Sequence, residues 1–351
     1  MAQAKSKVAR GPAVAGVELA ADRVRVAVAH REDTSLRLTG VSQAPVRPGA
    51  MSGGLVIDRA AVGSAIASAL GVAEAREKAT RVIAAIDGDD VRTYHVATQF
   101  EREALREPMS QSEMTRALQA SRADAERAAR DAATNDAALR GIATVQLRDD
   151  VAGLALDGRA LATLVGFQGR YVEVRTDVAL APLVMASAAT GALDAAKRRG
   201  TVTAGAYALG RLLAGSGVNE AGIVRLGADV TAIAIVRGSR VVATRAFGLG
   251  RDAFIARAHQ LEHDSAVWAG CVASPFAGLE ALPARWIFVG VPQELALLPQ
   301  ALADALAKQR GNPVEIAPLR PQLASRVFAP EGIHSDDLIA IGAAALAAEI
   351  G

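Results

Sequence analysis

The chain has 351 residues, of which 51% are apolar and only 3% aromatic. It is long enough for two domains or one large one, with a core built mainly from Ala, Val, Leu and Ile. The 39 basic and 37 acidic side chains give a net charge of +2, and this balance argues against a nucleic-acid-binding protein. The single cysteine, Cys271, excludes an intrachain disulfide and is expected to be a small buried residue.

Residues 1–12 are predicted to form a disordered basic tail, because MAQAKSKVAR lacks the apolar segment of a secretory signal. No uncharged apolar run reaches the ~20 residues needed to span a bilayer. The nearest run, Val178–Leu193, contains Pro182 and is interpreted as a buried helix. We therefore expect a cytoplasmic protein without direct membrane insertion, reaching the periphery of the inner membrane only through a partner.

The first part of the chain alternates strands and turns before its first helix. Val14–Leu19, Val24–His30 and Ser35–Val41 are predicted strands, because β-branched and apolar residues alternate between turn residues. Asp58 is a natural N-cap for a helix over Arg59–Leu70. This pattern predicts a three-strand meander that leads into a helix.

The middle of the chain is predicted to be a small α+β block. Ser110 is placed to cap a long, charged, Ala-rich helix, and residues 157–169 are predicted to form a loop. The predicted elements of the block are strands Val82–Ile86, Val91–Ala97, Ile142–Leu147 and Tyr171–Leu180, and the helix Ser112–Thr134.

A second meander opens the C-terminal part. Its predicted strands are Ile223–Leu226, Val230–Val236 and Arg240–Phe247. Since it repeats the plan of the first meander, the pattern indicates a duplicated α/β architecture. The other predicted elements are helices Pro182–Lys197, Ala204–Ala214, Asp252–His263, Pro299–Lys308 and Asp336–Glu349, and the strand Trp286–Val289.

Several short motifs, in order along nearly the whole chain, resemble those of the bacterial cell-division family FtsA, a member of the actin-like (ASKHA) superfamily. Gly54–Asp58 is similar to the family's Gly-x-Ile/Val-x-Asp entry into the first helix. Leu156–Val174, LDGRALATLVGFQGRYVEV, is similar to its Val-Asp-Gly…Val-Gly-Met-x-Gly loop and strand. The related pilus-assembly scaffold PilM shares the fold, but its counterpart of 156–174 is less similar.

The resemblance implies an α/β protein with the actin-like, ribonuclease H-like duplicated fold, an inserted small α+β domain of the SHS2 type and a reduced fourth subdomain. The expected domains follow the motifs. Residues 13–80 and 181–217 form the first lobe, 81–180 the inserted interaction domain, and 218–351 the second lobe, in which the fourth subdomain shrinks to 254–285. In FtsA that missing subdomain supports the purine pocket and docks the tubulin-like partner, so both properties are weakened here.

The nucleotide-binding loops of the superfamily are degraded in this chain. The second phosphate hairpin has Arg225 where the family has a metal-holding Asp, and the first hairpin has neither its glycine nor its hydroxyls. The adenosine loop contains Pro292, which has no N–H. We therefore predict a pseudo-ATPase, with no cofactor required and at most weak binding of ATP and Mg²⁺. The degenerate nucleotide-binding positions are Glu18, Ala20, Ala21, Asp22, Gly227, Ala228, Thr231, Gly250, Asp252 and Gly290.

The predicted function is scaffolding: recruitment or organisation of protein partners of the division machinery, with self-association into filaments as a further property. An active ATPase driving filament assembly and a PilM-like scaffold of type IV pilus assembly are the alternatives. Partner contacts are expected on the inserted domain, at Val91, Arg92, Arg122, Arg127, Arg130, Gly166 and Gly169.

A third class of protein, a zinc hydrolase, rests on one motif. His259–His263 reads H-x-x-E-H, a spacing that places two imidazoles on one helix face. No neighbouring segment supplies a clear third ligand, so His259 and His263 are a weak metal site and no metal is expected. A polar helix end that holds two histidines by chance is the favoured interpretation of the motif.

Overall fold

The computed structural model describes residues 11–276, 279, 281–319, 326–329 and 333–349, and the predicted tail therefore lies almost wholly outside the described residues. The chain forms two compact units. Unit 1 comprises residues 1–89 and 187–351, and unit 2 comprises residues 90–186. None of the described helices combines the length and the apolar composition needed to cross a membrane.

Unit 1 contains two sheets with one plan. The first has the order β11-β6-β1-β2-β3-β17 and the second the order β14-β13-β12-β15-β16. In each, an antiparallel meander is followed by parallel strands on the side of its first strand. The strands of the first sheet are β1 (Val14–Leu19), β2 (Arg23–Glu32), β3 (Ser35–Pro45), β6 (Arg81–Ile86), β11 (Thr201–Ala204) and β17 (Val327–Phe328).

The second sheet and a short hairpin complete the strands of unit 1. The hairpin strands β4 (Met51–Ser52) and β5 (Leu55–Val56) pair across a tight Gly53-Gly54 turn, where both glycines have positive φ. The strands of the second sheet are β12 (Glu220–Leu226), β13 (Thr231–Arg237), β14 (Arg240–Phe247), β15 (Arg285–Val289) and β16 (Glu315–Pro318). The shared strand order confirms the duplication that the two sequence meanders predict.

Seven helices pack on these sheets or join them. They are α1 (Arg59–Ala73), α3 (Leu183–Ala195), α4 (Gly205–Gly215), α5 (Arg251–Ala256), α6 (Leu261–Ala273), α7 (Leu297–Arg310) and α8 (Leu338–Glu349). Asp58 caps α1 as predicted, since its carboxylate accepts the Ala61 N–H at 2.9 Å. Helix α8 packs closely on β1, because a Cβ at Gly16 would overlap the Ala340 carbonyl.

Both tryptophans and three of the seven phenylalanines lie in one core cluster at the second sheet. Trp268, Trp286 and Phe254 are almost fully buried there, together with Phe276 and Phe288. The rest of the core consists mainly of Ala, Val, Leu and Ile, as expected from the composition. Trp268 on α6 packs on Phe288 of β15 and thereby holds α6 against the second sheet.

Unit 2 is an antiparallel sheet of order β7-β10-β8-β9 with one helix. Its elements are β7 (Arg92–Glu101), α2 (Gln111–Asn135), β8 (Thr144–Leu156), β9 (Arg159–Leu161) and β10 (Tyr171–Pro182). Ser110 caps α2 as predicted, because its hydroxyl accepts the Glu113 N–H at 3.1 Å. Buried alanines at four-residue spacing, Ala125, Ala129 and Ala133, let α2 pack closely on the sheet.

Three predicted elements are corrected by the structure. The run Val178–Leu193 is not one buried helix, because β10 continues to Pro182 and α3 begins at Leu183. Residues 157–169 contain the short strand β9. The helix predicted over Asp252–His263 is divided between α5, a 3₁₀ turn at Ala258–Gln260 and α6.

Candidate functional site

The centre of unit 1 holds a buried ion pair between the two sheets. Glu18 lies near the end of β1 and Arg225 near the end of β12, and their exposed fractions are only 2% and 7%. The Arg225 guanidinium contacts the Glu18 carboxylate directly. A second guanidinium, that of Arg25 on β2, lies 3.5 Å from the same carboxylate. Glu18 is therefore bracketed by one cation from each sheet.

The turn between β1 and β2 adds a second carboxylate to this cluster. Asp22 lies 2.9 Å from Arg23, 3.4 Å from Arg251 and 3.9 Å from Arg25. Burial alone would raise the pKa of Asp22, but the Arg25 and Arg23 guanidiniums outweigh burial and lower it. Asp22 therefore stays ionised and pairs with guanidiniums that could otherwise contact a bound phosphate.

The tip of the second hairpin carries a third acidic side chain. The Asp229 carboxylate accepts the Gly53 backbone N–H at 2.6 Å. The pKa of Asp229 is raised by burial, and the hydrogen bond from Gly53 offsets only part of that shift. A backbone N–H at a glycine turn is a common donor to phosphate oxygens, and here a side chain of the protein itself takes that donor.

Backbone groups around the second hairpin are also occupied. The N–H groups of Arg251 and Asp252, at the start of α5, donate to the Gly227 and Ala228 carbonyls at 2.8 and 2.9 Å. A Cβ at Gly250 would lie 2.5 Å from the Ala228 carbonyl. The structure thus brings the predicted positions Gly227, Ala228, Gly250 and Asp252 together, because the start of α5 is bonded to the carbonyls of the hairpin.

Asp87, directly after β6, is a further titratable residue of the site that sequence reasoning did not single out. Its carboxylate accepts the Ala206 N–H at 2.8 Å at the start of α4. Burial raises the pKa of Asp87 to about 7, although the hydrogen bond from Ala206 and the nearby Arg225 charge both lower it. The side chain is nevertheless partly accessible and lines the central cavity.

The central cavity is very small. Its lining includes Glu18, Asp87, Arg225 and the small residues Ala20, Ala21, Gly227 and Ala228, and its volume is about 20 Å³, room for about one water molecule. Thr231 is not part of it, since its fully buried hydroxyl donates to the Leu249 carbonyl and accepts from the Trp268 indole. Thr231 is therefore a core residue, which corrects its predicted place among the nucleotide-binding positions.

The described residues do not fit a magnesium nucleotide in this cavity. Arg225 places a guanidinium in its wall, and a guanidinium cannot coordinate a cation. The loop at Gly290 borders a separate cavity of about 510 Å³ with an apolar wall of Phe288, Val291 and Pro292. Space for a ligand therefore exists beside that loop and not in the central cavity.

The predicted partner positions divide into two groups. Val91 and Arg92 are buried, and Arg92 is bonded to Asp136, so their assignment as surface contacts is wrong. Gly166 has a φ of +87° and Gly169 packs on Leu156, so both shape the loop. On α2, Arg122, Arg127 and Arg130 are more than half exposed, and each pairs with a neighbouring carboxylate.

The structure does not bring together a metal site at the H-x-x-E-H motif among the described residues. His259 lies on the 3₁₀ turn and His263 on α6, so the two do not share one regular helix. Within the described residues no group of three metal-ligating side chains comes together. Cys271 is exposed, and the prediction that it is buried is wrong.

Arg25, Arg251 and Gly53 belong to the site but were missed by sequence reasoning. Arg25 could have been found, because it is a charged residue inside the apolar strand Val24–Ala29. A buried charge in such a strand requires a partner. Arg251 and Gly53 carry no comparable local signal, since their contacts come from distant parts of the chain.

Comparison with known proteins identifies the fold. No family model and no curated protein sequence matches the chain. A solved chain titled as the PilM-PilN type IV pilus biogenesis complex is 19% identical with a TM-score of 0.56, over 95% of this chain and 98% of that one.

Two further solved structures are more distant. The diol dehydratase-reactivating factor in its nucleotide-free form is 11% identical with a TM-score of 0.49, over 96% of this chain and 100% of that one. The ethanolamine utilization protein EutJ from Carboxydothermus hydrogenoformans is 13% identical with a TM-score of 0.45, over 95% and 89%.

The chain thus has the duplicated actin-like fold, as the sequence predicts. The finer likeness to FtsA remains a hypothesis, and so do the proposed domain boundaries.

Proposed function

We propose that this chain is an actin-like scaffold whose interlobe cleft is held by its own ion pairs and not by a magnesium nucleotide. The observation that carries the proposal is the contact between Glu18 and Arg225 at the position of the metal. Asp22 and Asp229 act as carboxylate substitutes for phosphates, since they engage the positive and N–H groups around them. The arrangement of the cleft therefore requires no bound nucleotide.

The partner proposed is a protein of a membrane-associated machine. The likeness to a chain from a PilM-PilN pilus biogenesis complex favours a pilus-type assembly over the division machinery that the FtsA resemblance implies. The exposed face of α2, with Arg122, Arg127 and Arg130, is the surface proposed for that contact. We also propose that the scaffold self-associates into filaments.

Titration calorimetry with Mg-ATP tests the nucleotide half of the proposal. We expect no saturable heat at concentrations up to ~0.1 mM, where a micromolar site would release ~8 kcal/mol of binding free energy. A parallel phosphate-release assay should stay at the background of buffer alone. Saturable Mg-ATP binding below ~0.1 mM would reject the proposal.

The variant Arg225→Asp supplies the matched comparison, because it places a carboxylate where the family has one. Measurable Mg-ATP binding by Arg225→Asp, absent in the wild type, would support the assignment of this position. The partner half is tested separately by size-exclusion chromatography with light scattering of the chain and the product of an adjacent gene. A complex of equal stability with EDTA and with Mg-ATP is expected, and a complex that requires Mg-ATP contradicts nucleotide-independent scaffolding.

A further inference from the structure

A second cavity of unit 1, away from the central ion pair, is lined by three arginines. It has a volume of about 220 Å³ and includes Arg31, Arg211, Arg326, Thr34, Ser35 and Glu349. This is below the size of typical drug-sized ligand pockets, ~300–1,000 Å³. The cavity suits a small group and not a nucleotide.

Strand pairing fixes two of the arginines at one level of the first sheet. Arg31 on β2 is the register partner of Leu36 on β3, and Leu36 pairs in turn with Val327 on β17. The Leu36 N–H donates to the Arg326 carbonyl at 2.8 Å. Arg31 and Arg326 therefore lie on either side of β3, near the turn that carries Thr34 and Ser35.

The third arginine comes from the helices that close the cavity. Arg211 on α4 pairs with Glu349 on α8 at 3.0 Å. Glu32 on β2 is held by Arg37 at 2.7 Å, so that its charge is directed to a different cation. Among the described residues that line the cavity, three arginines and one glutamate give a net charge of +2.

We infer that this cavity is a binding site for a phosphate group, free or as a small phosphomonoester. A phosphate carries a charge of about −1.5 to −2 at pH 7, which matches the excess charge of the wall. Guanidinium forks bond phosphate oxygens in pairs, and the Thr34 hydroxyl lines the same space. A monovalent carboxylate would leave one positive charge uncompensated. The inference is independent of the proposed scaffold function.

Titration calorimetry with inorganic phosphate at pH 8 and constant ionic strength tests the site on the whole chain. One saturable site is expected in the wild type. Arg31→Gln and Arg326→Gln should each weaken it by about tenfold or more, the effect of losing one charge-assisted hydrogen bond. Arg140→Gln removes an exposed arginine of unit 2 and should bind phosphate as the wild type does. Circular dichroism melting of each variant checks that it is folded.

Three further arms define the ligand. Acetate at equal ionic strength should give no saturable heat, and phosphate should bind more weakly at pH 5.5, where it is mainly the monoanion. Titration with O-phosphoserine distinguishes a site for phosphomonoesters from one for the free ion, and binding of either supports the inference. The inference would be overturned if the wild type showed no saturable phosphate binding, or if it bound acetate as tightly as phosphate. It would also be overturned if Arg31→Gln and Arg326→Gln both bound phosphate as tightly as the wild type.

Discussion

The Arg225 guanidinium contacts the Glu18 carboxylate inside unit 1 and thereby joins strand β12 of one sheet to strand β1 of the other. Arg25, from the strand beside β1, is the second cation on the same carboxylate at 3.5 Å. Two buried cations around one buried anion are costly to desolvate, and removing one partner leaves an uncompensated charge. This relationship makes the cleft sensitive to single substitutions.

Replacing Arg225 with Met should destabilise the protein by ~3–5 kcal/mol, because Glu18 then loses its direct partner in a buried site. The measurement is the midpoint of urea unfolding followed by circular dichroism. The double variant Glu18→Gln/Arg225→Met should recover none of the loss, because it removes the charge that still pairs with the buried Arg25 guanidinium. A double variant more stable than Arg225→Met would contradict this account of the buried charges.

The stability of the protein should decrease as pH rises from about 4 to about 7 through Asp87. Burial raises the folded-state pKa of Asp87 from the usual 3.8 of an aspartate to about 7. In that interval the folded state keeps the proton that the unfolded state has lost, so that the contribution present at low pH disappears. Asp87→Asn cannot ionise and should flatten the curve.

At pH 8, Asp87→Asn should be more stable than the wild type by ~1–3 kcal/mol, a value reduced from the full linkage energy because the side chain is partly accessible. Thermal melting of both proteins between pH 4 and pH 8 is the measurement. Asp131→Asn, an exposed change on α2, is the control and should follow the wild-type curve. Parallel curves for Asp87→Asn and the wild type would show that Asp87 does not titrate in this range.

Two helical glycines should respond to alanine in opposite directions. A Cβ at Gly342 on α8 would overlap the Ala208 carbonyl of α4, whereas a Cβ at Gly270 on α6 meets no atom within 4 Å. Gly342→Ala should therefore lower the free energy of unfolding by ~1–3 kcal/mol, the usual effect of overpacking. Gly270→Ala should raise it by up to ~1 kcal/mol through helix propensity.

Thermal melting of the two glycine variants in one buffer checks this pair. The result that would disprove it is a Gly342→Ala protein as stable as Gly270→Ala. That outcome would mean that α4 and α8 are not in close contact at Gly342 and Ala208.

Cys271 should react in the native state. It is the only cysteine of the chain, and its side chain is exposed on α6. Ellman's reagent without denaturant is expected to modify one thiol per chain, because access and not pKa alone governs the reaction. Cys271→Ser should give no signal, and modification of the wild type only after unfolding would place the thiol in the interior.

Local sequence pattern was enough for most elements whose apolar periodicity is clear. Val14–Leu19 was predicted and found as a strand with the same ends, and the caps at Asp58 and Ser110 were found as predicted. The separate predictions of a strand over Tyr171–Leu180 and a helix over Pro182–Lys197 agree with β10 and α3. The interpretation of the whole run Val178–Leu193 as one buried helix was wrong, because periodicity cannot distinguish a fully buried strand from a buried helix. Its first part is a strand only because β7 and β8 pair with it on both sides.

That Arg225 offers no carboxylate, that the turn between β1 and β2 has no glycine and that Pro292 has no N–H can be seen in the amino-acid sequence alone, because each is a matter of residue type. The sequence therefore determined which groups these loops can offer and that the architecture is duplicated. Tertiary structure alone decided which residues contact one another around them. Glu18 and Arg225, Asp229 and Gly53, and Asp22 and Arg251 are far apart in the chain, and a contact between distant residues follows from how the sheets pack and not from any local pattern.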